Sequence, residues 1–215
     1  MAKNYKNEIC IIEKKKLIIA EGKDVKYFLI HLLNNKGIND IQVIDSGGIK
    51  ELTICINSLK NIDGFDDVTS ILIFRDAEDS AQSAIESVNY SLRATGLITT
   101  DIKPFTTNNQ NNLSIGFALF PGIDENGYLY NCGALEHLCL RLFKDNSNYA
   151  IIKNYIEDFQ TKSTKFKSPH KNELHALFTF TDKYVGLKIG ETAKTGGFNF
   201  DSPCLLPFLN MINEM

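Results

Sequence analysis

Three acidic residues follow one apolar stretch of the chain within a few positions. The apolar run 71–74 leads, after one arginine, into Asp76, Glu78 and Asp79. Carboxylates crowded at one place repel one another unless a cation, a basic partner or protonation relieves them. A hard divalent cation such as Mg²⁺ or Mn²⁺, which prefers oxygen ligands, is the simplest relief. The spacing therefore predicts a metal site with these three residues as candidate ligands.

Each of these acids also has an ordinary structural explanation. Asp79 with Ser80 can cap the helix that follows, and for Asp79 we favour this role over that of a metal ligand. Asp76 can pair with Arg75 or with a lysine. For Asp76 together with Glu21, which follows an earlier apolar run, we favour the metal site.

Strands and helices are predicted to alternate over the first hundred residues. Short apolar runs predict strands, and apolar residues at helical spacing predict the segments between them. The strands are expected at 17–20, 41–44 and 68–74, and the helices at 24–35, 52–59 and 80–94. Helical crossovers of this length favour a parallel sheet. Ligands bind at the carboxyl edge of such sheets, where Glu21, Asp45 and Asp76 should meet.

The second half of the chain predicts one more strand and several helices. The polar stretch 99–112 is interpreted as an exposed loop, and Leu113–Phe120 as a strand. Helices are expected at 133–143, 149–159 and 172–180, with a short one after Pro203. We therefore expect an α/β domain over residues 1–145, and a helical C-terminal extension over residues 146–215 that packs on the same core.

Composition limits the class of protein. The 215 residues are 43% hydrophobic and 23% charged, which is ordinary for a globular protein with a real core. No apolar run is long enough to span a membrane, and the N-terminus lacks the apolar core of a signal peptide, so we expect a cytoplasmic protein without membrane contact. Five scattered cysteines indicate reduced thiols. The net charge of -3 argues against a tight, nonspecific DNA binder, so a polyanion would need a local patch or a metal.

Four segments together resemble a known domain. The segments 21–24 (EGKD) and 76–78 (DAE), each after an apolar strand, resemble the Toprim domain of topoisomerases, bacterial primases, and OLD-type and recombination-repair nucleases. The segments 133–138 (GALEHL) and 190–203 (GETAKTGGFNFDSP) extend the resemblance over nearly the whole chain, to an uncharacterised bacterial family of stand-alone Toprim-like proteins. The resemblance implies a mostly parallel, Rossmann-like sheet flanked by helices.

The resemblance also implies roles for individual residues. In Toprim enzymes the glutamate after the first strand is thought to act as general acid or base, which is Glu21 here. The aspartates after the third strand hold magnesium, which assigns Asp76 and Glu78, although Glu78 departs from the family pattern. Asp79 and Glu136 are candidate ligands of a second metal, because OLD-type nucleases use further carboxylates. For Glu136 we slightly favour an exposed helix glutamate or a capping partner.

Several residues are candidate contacts for phosphate. Lys23 is a candidate catalytic residue that touches phosphate, although an exposed lysine at a helix start explains it equally well. Gly22, Gly47 and Gly48 are candidate phosphate-binding positions through their backbone amides, and tight turns explain them too. One basic cluster is a candidate guide for nucleic acid, but we favour a solvated linker for it; its members are Lys162, Lys165, Phe166, Lys167 and Lys171.

The leading hypothesis is magnesium-dependent phosphoryl transfer, as a phosphodiesterase or nuclease that acts on DNA or RNA. Phosphoryl transfer builds negative charge on phosphate oxygens, which a metal neutralises while a positioned acid or base handles the proton. A second hypothesis is a noncatalytic module that binds a nucleotide or a phosphorylated ligand. A third is an interaction subunit that needs a partner such as an ATPase. The acidic charge balance favours these two somewhat. The oligomeric state is left open, a homodimer included.

Overall fold

A β-sheet between two layers of helices forms the protein. The structure is a computed structural model that describes residues 11–48, 51–110, 112–162 and 165–215. The strands are β1 (Lys16–Ala20), β2 (Ile41–Asp45), β3 (Ser70–Asp76), β4 (Thr106–Gln110) and β5 (Leu113–Phe120). The helices are α1 (Lys23–Asn35), α2 (Leu52–Lys60), α3 (Ala81–Ala94), α4 (Leu135–Leu142), α5 (Tyr149–Lys162), α6 (Pro169–Thr179), α7 (Ile189–Lys194) and α8 (Leu206–Asn213).

The sheet is mostly parallel. Its strand order is β2-β1-β3-β5-β4, with β1, β2, β3 and β5 parallel and β4 antiparallel to β5. Helices α1 and α2 return the chain across the sheet between parallel strands, as helical crossovers do. The expected α/β class with a mostly parallel sheet is confirmed.

The strand β4 corrects the prediction of a loop over residues 99–112. Thr106–Gln110 pairs with β5 on one side and lies at the edge of the sheet. Its sequence, TTNNQ, lacks apolar alternation because its side chains are exposed or only partly buried. Polar edge strands of this kind are common and carry little hydrophobic signal.

Both faces of the sheet are buried, and each has its own core. Alternate residues of the strands, including Leu17, Ile73 and Phe117, pack against α2 and α3 on one face. The residues between them, including Ile18 and Phe74, pack on the other face against α1 and α4 to α8. Helices after residue 146 therefore share a core with the sheet. None of the helices in the described part of the chain is long and apolar enough to cross a membrane.

Gly116 marks the tightest packing within the sheet. A Cβ atom at this position in β5 would lie 2.8 Å from the backbone oxygen of Thr106, and 2.9 Å from side-chain carbons of Leu72 and Met211. Because the Thr106 oxygen belongs to the neighbouring strand, it cannot move aside without disturbing the strand pair.

We expect Gly116→Ala to lower the free energy of unfolding by about 1–3 kcal/mol, because the added methyl group overpacks the core. Urea denaturation measures this change. The matched control is Asn109→Ala at an exposed position of β4, with an expected change within about 0.5 kcal/mol. Equal stabilities of the two variants would contradict the packing argument.

Candidate active site

Three turns meet at the carboxyl edge of the sheet. The register aligns Ala20 with Asp45 on β2 and with Phe74 on β3, so these strands end at the same level. The backbone N–H of Glu21 donates to the Phe74 carbonyl at 2.9 Å and extends the β1–β3 ladder by one residue. The edge therefore gathers Glu21 and Asp76, as the sequence predicts from parallel strands.

Asp76 joins the sheet to the start of α4. Its Oδ1 atom accepts a hydrogen bond from the backbone N–H of Leu135, the first residue of α4, at 2.8 Å. The residue is partly exposed at the site surface, but protein surrounds its carboxyl group. This burial raises the pKa of Asp76 to about 8; repulsion from Glu136, Glu21 and Glu78 adds to it, and the Leu135 bond opposes it. Asp76 makes no ion pair with Arg75 or a lysine in the described chain, contrary to the ordinary explanation.

Arg75 pairs with Glu21 instead. Since Phe74 is level with Ala20, Arg75 lies beside Glu21 on the neighbouring strand. Its Nε atom lies 3.4 Å from Glu21 Oε2, and both side chains are largely buried. Neither of these two atoms makes a hydrogen bond within the described residues. Burial raises the pKa of Glu21, opposed by the charge of Arg75 and the backbone N–H of Asp76, while the charge of Glu78 raises it further.

The two key carboxyl groups leave the sheet on opposite faces. Successive side chains of a strand alternate between faces, so Arg75 and Asp76 diverge. Arg75 and Glu21 line a small cavity together with Leu52 of α2. Asp76 contacts α4 on the other face. The Glu21 and Asp76 carboxyl groups still interact across the edge, because the charge of Glu21 raises the pKa of Asp76.

Glu78 has a backbone conformation that is uncommon for a side chain of its kind. Its φ angle is 53°, in the left-handed region. Its N–H donates to the Gly133 carbonyl at 2.8 Å, and its own carbonyl accepts from the Gly133 N–H at 2.7 Å. This pair of bonds ties the turn after β3 to the turn before α4. Strained residues of this type cluster at functional sites.

The cap of α3 corrects another prediction. Ser80, not Asp79, is the N-cap residue, and its hydroxyl oxygen accepts from the Ser83 N–H at 3.2 Å. Asp79 is exposed. Its role as a metal ligand stays a prediction, but helix capping no longer explains it.

Glu136 is more buried than the exposed helix glutamate that we favoured. Its side chain is only 16% exposed, and its Oε1 atom lies 3.3 Å from Lys171 Nζ of α6. The charge of Glu136 raises the pKa of Lys171, and those of Asp76 and Glu78 contribute as well. The C-terminal helices thus bring a cation to the acidic edge.

Two histidines lie beside this ion pair. The rings of His137 and His170 stack with their centroids 4.2 Å apart. The Nδ1 atom of His137 accepts the backbone N–H of Ala134 at 3.1 Å, which satisfies a free amide at the start of α4. Burial lowers the pKa of both histidines, and their mutual repulsion lowers that of His137 further.

The candidate phosphate-binding glycines surround Asp45. Its Oδ1 atom accepts the N–H of Gly22 at 3.1 Å and the N–H of Gly47 at 2.8 Å. Gly22 needs to be glycine, because its φ angle of 86° starts α1 in a conformation that side chains disfavour. The predicted phosphate role of Gly22 and Gly47 would require these amides to exchange the Asp45 carboxylate for another anion, whereas the Gly48 amide makes no bond to Asp45. Lys23 is exposed at the start of α1.

The carboxyl groups suit Mg²⁺ or Mn²⁺ in chemistry and in charge. Oxygen ligands and mutual repulsion favour a hard divalent cation, and the buried Glu21 Oε2 has no hydrogen-bond partner within the described residues. In the described part of the chain, however, no three Asp, Glu, His or Cys side chains converge closely enough to hold a metal. Glu21 is drawn to Arg75, and Glu136 to Lys171. The residue types fit the ion, but their carboxylates do not converge on a common point within the described residues.

Sequence reasoning missed three contributors. Arg75 was considered only as a partner of Asp76, although the strand register, once known, pairs it with Glu21. The sequence places Asp45 at the carboxyl edge but not as the acceptor for the N–H groups of Gly22 and Gly47; its position before a Ser-Gly-Gly turn is the available signal. Lys171 reaches the site through the packing of α6 on α4, for which the local sequence carries no signal.

The raised pKa of Asp76 predicts how stability depends on pH. The folded value of about 8 lies above the ordinary value of 3.8, so the folded chain holds a proton that the unfolded chain releases. The resulting stability is fully present below about pH 4 and is lost as the pH rises towards 8. Asparagine keeps the acceptor for the Leu135 N–H and removes the titration.

We expect the free energy of unfolding of the wild type to fall as the pH rises from about 5 to 8. This fall should be steeper than that of Asp76→Asn by up to about 1.4 kcal/mol per pH unit. Urea denaturation in EDTA at several pH values measures this difference. The matched control, Asp66→Asn, changes an exposed carboxyl group before β3 and should keep the wild-type dependence. If the free energy of unfolding of Asp76→Asn depended on pH as steeply as that of the wild type, the prediction would be contradicted.

Two solved structures are similar to this chain. The C-terminal region of the Xanthomonas campestris pv. campestris OLD protein, phased with mercury, is 13% identical, with a TM-score of 0.45, over 95% of this chain and 97% of that chain. The same region phased with iodine is 11% identical, with a TM-score of 0.47, over 95% of this chain and 96% of that chain. No curated protein matches the sequence. Residues 15–215 match a family described as "Protein of unknown function (DUF3226)", and the chain belongs to that family.

Proposed function

We propose that the carboxyl edge of the sheet is a magnesium-dependent phosphoryl-transfer site that hydrolyses phosphodiester bonds in nucleic acid. The observation that carries this proposal is the electrostatic coupling of Asp76 to three further carboxyl groups, those of Glu21 after β1, Glu78 after β3 and Glu136 of α4. Only Arg75 and Lys171 form ion pairs with this group in the described residues. The resemblance of segments 21–24 and 76–78 to Toprim domains supports the same chemistry.

Asp76 and Glu78 would hold the Mg²⁺ ion, with Asp79 and Glu136 available to a second one. A bound magnesium neutralises the charge that develops on phosphate oxygens and lowers the pKa of a bound water. Binding requires Asp76 to lose the proton that burial favours. Glu136 would have to leave Lys171, and the freed ammonium group could then pair with a phosphate oxygen.

Glu21 would act as the general acid or base. Burial raises the pKa of its carboxyl group above the ordinary value, which makes the carboxylate a better proton acceptor. The charge of Arg75, whose Nε atom lies 3.4 Å from Glu21 Oε2, limits that rise. Lys23, at the first turn of α1, would contact a phosphate oxygen of the substrate.

Calorimetric titration with Mg²⁺ and Mn²⁺ tests the metal site. We expect Asp76→Asn to weaken binding at least about tenfold, since it removes a charged ligand. Titration of the wild type near pH 7 in two buffers of different ionisation enthalpy should show a proton released on binding. Asp66→Asn is the matched control and should bind as the wild type does. Unchanged affinity in Asp76→Asn would overturn the metal site.

Incubation with single- and double-stranded DNA and RNA in Mn²⁺ tests the reaction. Cleavage is expected for the wild type and should be lost in Asp76→Asn. Glu21→Gln should also lose cleavage but keep metal binding, because its role is proton transfer. Metal binding without turnover, alone or with cell extract, would favour the noncatalytic module. Turnover that appears only with an added ATPase would favour the interaction subunit.

A further inference from the structure

Helix α5 is apolar on two sides, although only one of them is packed. Ile152 and Ile156 are buried in the core beneath the sheet. Ile151, Tyr155 and Phe159 lie on another side of the helix and are 69%, 64% and 36% exposed. Residues four positions apart stack along one helix face, so these three form a continuous stripe. Such exposed apolar stripes commonly mark binding surfaces.

Aromatic rings continue this stripe beyond the helix. The ring centroids of Tyr155 and Phe159 are 6.3 Å apart. Phe166, in the segment before α6, stacks on Phe159 with a centroid distance of 5.3 Å and an angle of 6° between the rings. We call Tyr155, Phe159 and Phe166 the aromatic row. It joins α5 to the chain that leads into α6.

The aromatic row lies in a basic segment of an acidic protein. Residues 149–171 contain five lysines and two acidic residues, whereas the whole chain has a net charge of -3. Both acids form exposed ion pairs on α5, Glu157 with Lys153 and Asp158 with Lys162. Exposed pairs of this kind are weak and readily exchange partners. Lys165 and Lys167 flank Phe166 and are exposed.

This combination suits one class of partner. Lysines pair with a polyanion, and exposed aromatic rings stack on flat, unpaired bases. Bases in a duplex are already stacked on one another, so the aromatic row favours single strands. An apolar protein partner would use the stripe but would leave the exposed Lys165 and Lys167 without a role.

The same segment leads to the carboxylate edge. Phe166 and Lys171 are five positions apart, and Lys171 Nζ contacts Glu136 at the candidate active site. Five residues span at most ~18 Å, which is short compared with a bound oligonucleotide. A strand that lies on the aromatic row can therefore reach the edge where Asp76 lies.

We propose that the exposed face of α5, with Phe166, Lys165 and Lys167, binds single-stranded nucleic acid by base stacking and phosphate pairing. Delivery of the bound strand to the carboxylate edge rests on the proposed function, whereas binding itself does not. The lysines supply affinity that falls with salt, and the rings supply the preference for single strands.

Fluorescence anisotropy with labelled dT and rU oligomers of about 16 nucleotides, in EDTA, tests the proposal. We expect Tyr155→Ala to weaken binding at least about fivefold, since it removes one stacking platform. The matched control is Tyr90→Ala. Tyr90 is 65% exposed, like Tyr155, but lies on α3 on the opposite face of the sheet. The control should bind as the wild type does. The dT and rU arms show which sugar is preferred.

Charge variants test the second part of the surface. We expect the double variant Lys165→Gln and Lys167→Gln to weaken binding. It should also lower the slope of log K against log salt concentration by about two units at most. The control Lys103→Gln, which changes an exposed lysine before β4, should alter neither the affinity nor the slope. Equal affinity for a duplex of the same length, or equal losses in Tyr155→Ala and Tyr90→Ala, would overturn the proposal. If the wild type bound no oligonucleotide but self-associated, and Tyr155→Ala abolished the self-association, the face would be assigned to a second copy of the chain instead.

One further variant separates the two proposals. Asp76→Asn should bind the oligonucleotide in EDTA as tightly as the wild type does, because Asp76 lies outside the aromatic row. Loss of metal binding with retained oligomer binding is expected if both proposals hold. If the wild type bound the oligonucleotide but no metal, the proposed binding surface would stand and only the proposed function would be overturned. If cleavage depended on metal but Tyr155→Ala did not change oligonucleotide binding, only the proposed binding surface would be overturned.

Discussion

The hydrogen bond between the Leu135 N–H and Asp76 Oδ1 joins the two halves of the candidate site. It connects the end of β3 to the first residue of α4, and the paired bonds between Glu78 and Gly133 hold the same junction. Because α4 starts there, Glu136 lies one residue further on, and α6 packs alongside with Lys171. If this contact were lost, the carboxyl groups of the sheet and of α4 would no longer share one electrostatic environment.

Strand alternation divides the edge into two compartments. Glu21 and Arg75 face α2 and α3, where the charge of one offsets that of the other. Asp76 faces α4, where the nearest charges include Glu136 and no arginine or lysine forms an ion pair with it in the described chain. Burial raises the pKa of both carboxyl groups, and the charge of Arg75 offsets part of that rise for Glu21. A paired acid suited to proton transfer lies on one face, and an uncompensated acid suited to a cation lies on the other.

The sequence predicted what depends on local pattern. Apolar runs gave the buried strands, and β5 was predicted with the bounds that it has, Leu113–Phe120. The meeting of Glu21 and Asp76 at one edge followed from parallel topology alone. Features without a local signal were missed or wrong. The edge strand Thr106–Gln110 is polar, and the cap of α3 fell on the neighbour of Asp79. The pairings of Arg75 and Lys171 depend on strand register and on helix packing, which one sequence does not reveal.

The distribution of charge is compatible with the proposed polyanionic substrate, although the chain is acidic. A uniformly basic surface would attract nucleic acid but would also weaken a cation site made of carboxylates. Here four carboxyl groups interact at the edge of the sheet, and residues 149–171 carry five lysines against two acidic residues, within a chain of net charge -3. Lys171 lies where the two regions meet and is bound to Glu136. At ordinary ionic strength exposed charges are screened beyond about 8–10 Å, so each region can act on its own ligand while contact at Lys171 couples them.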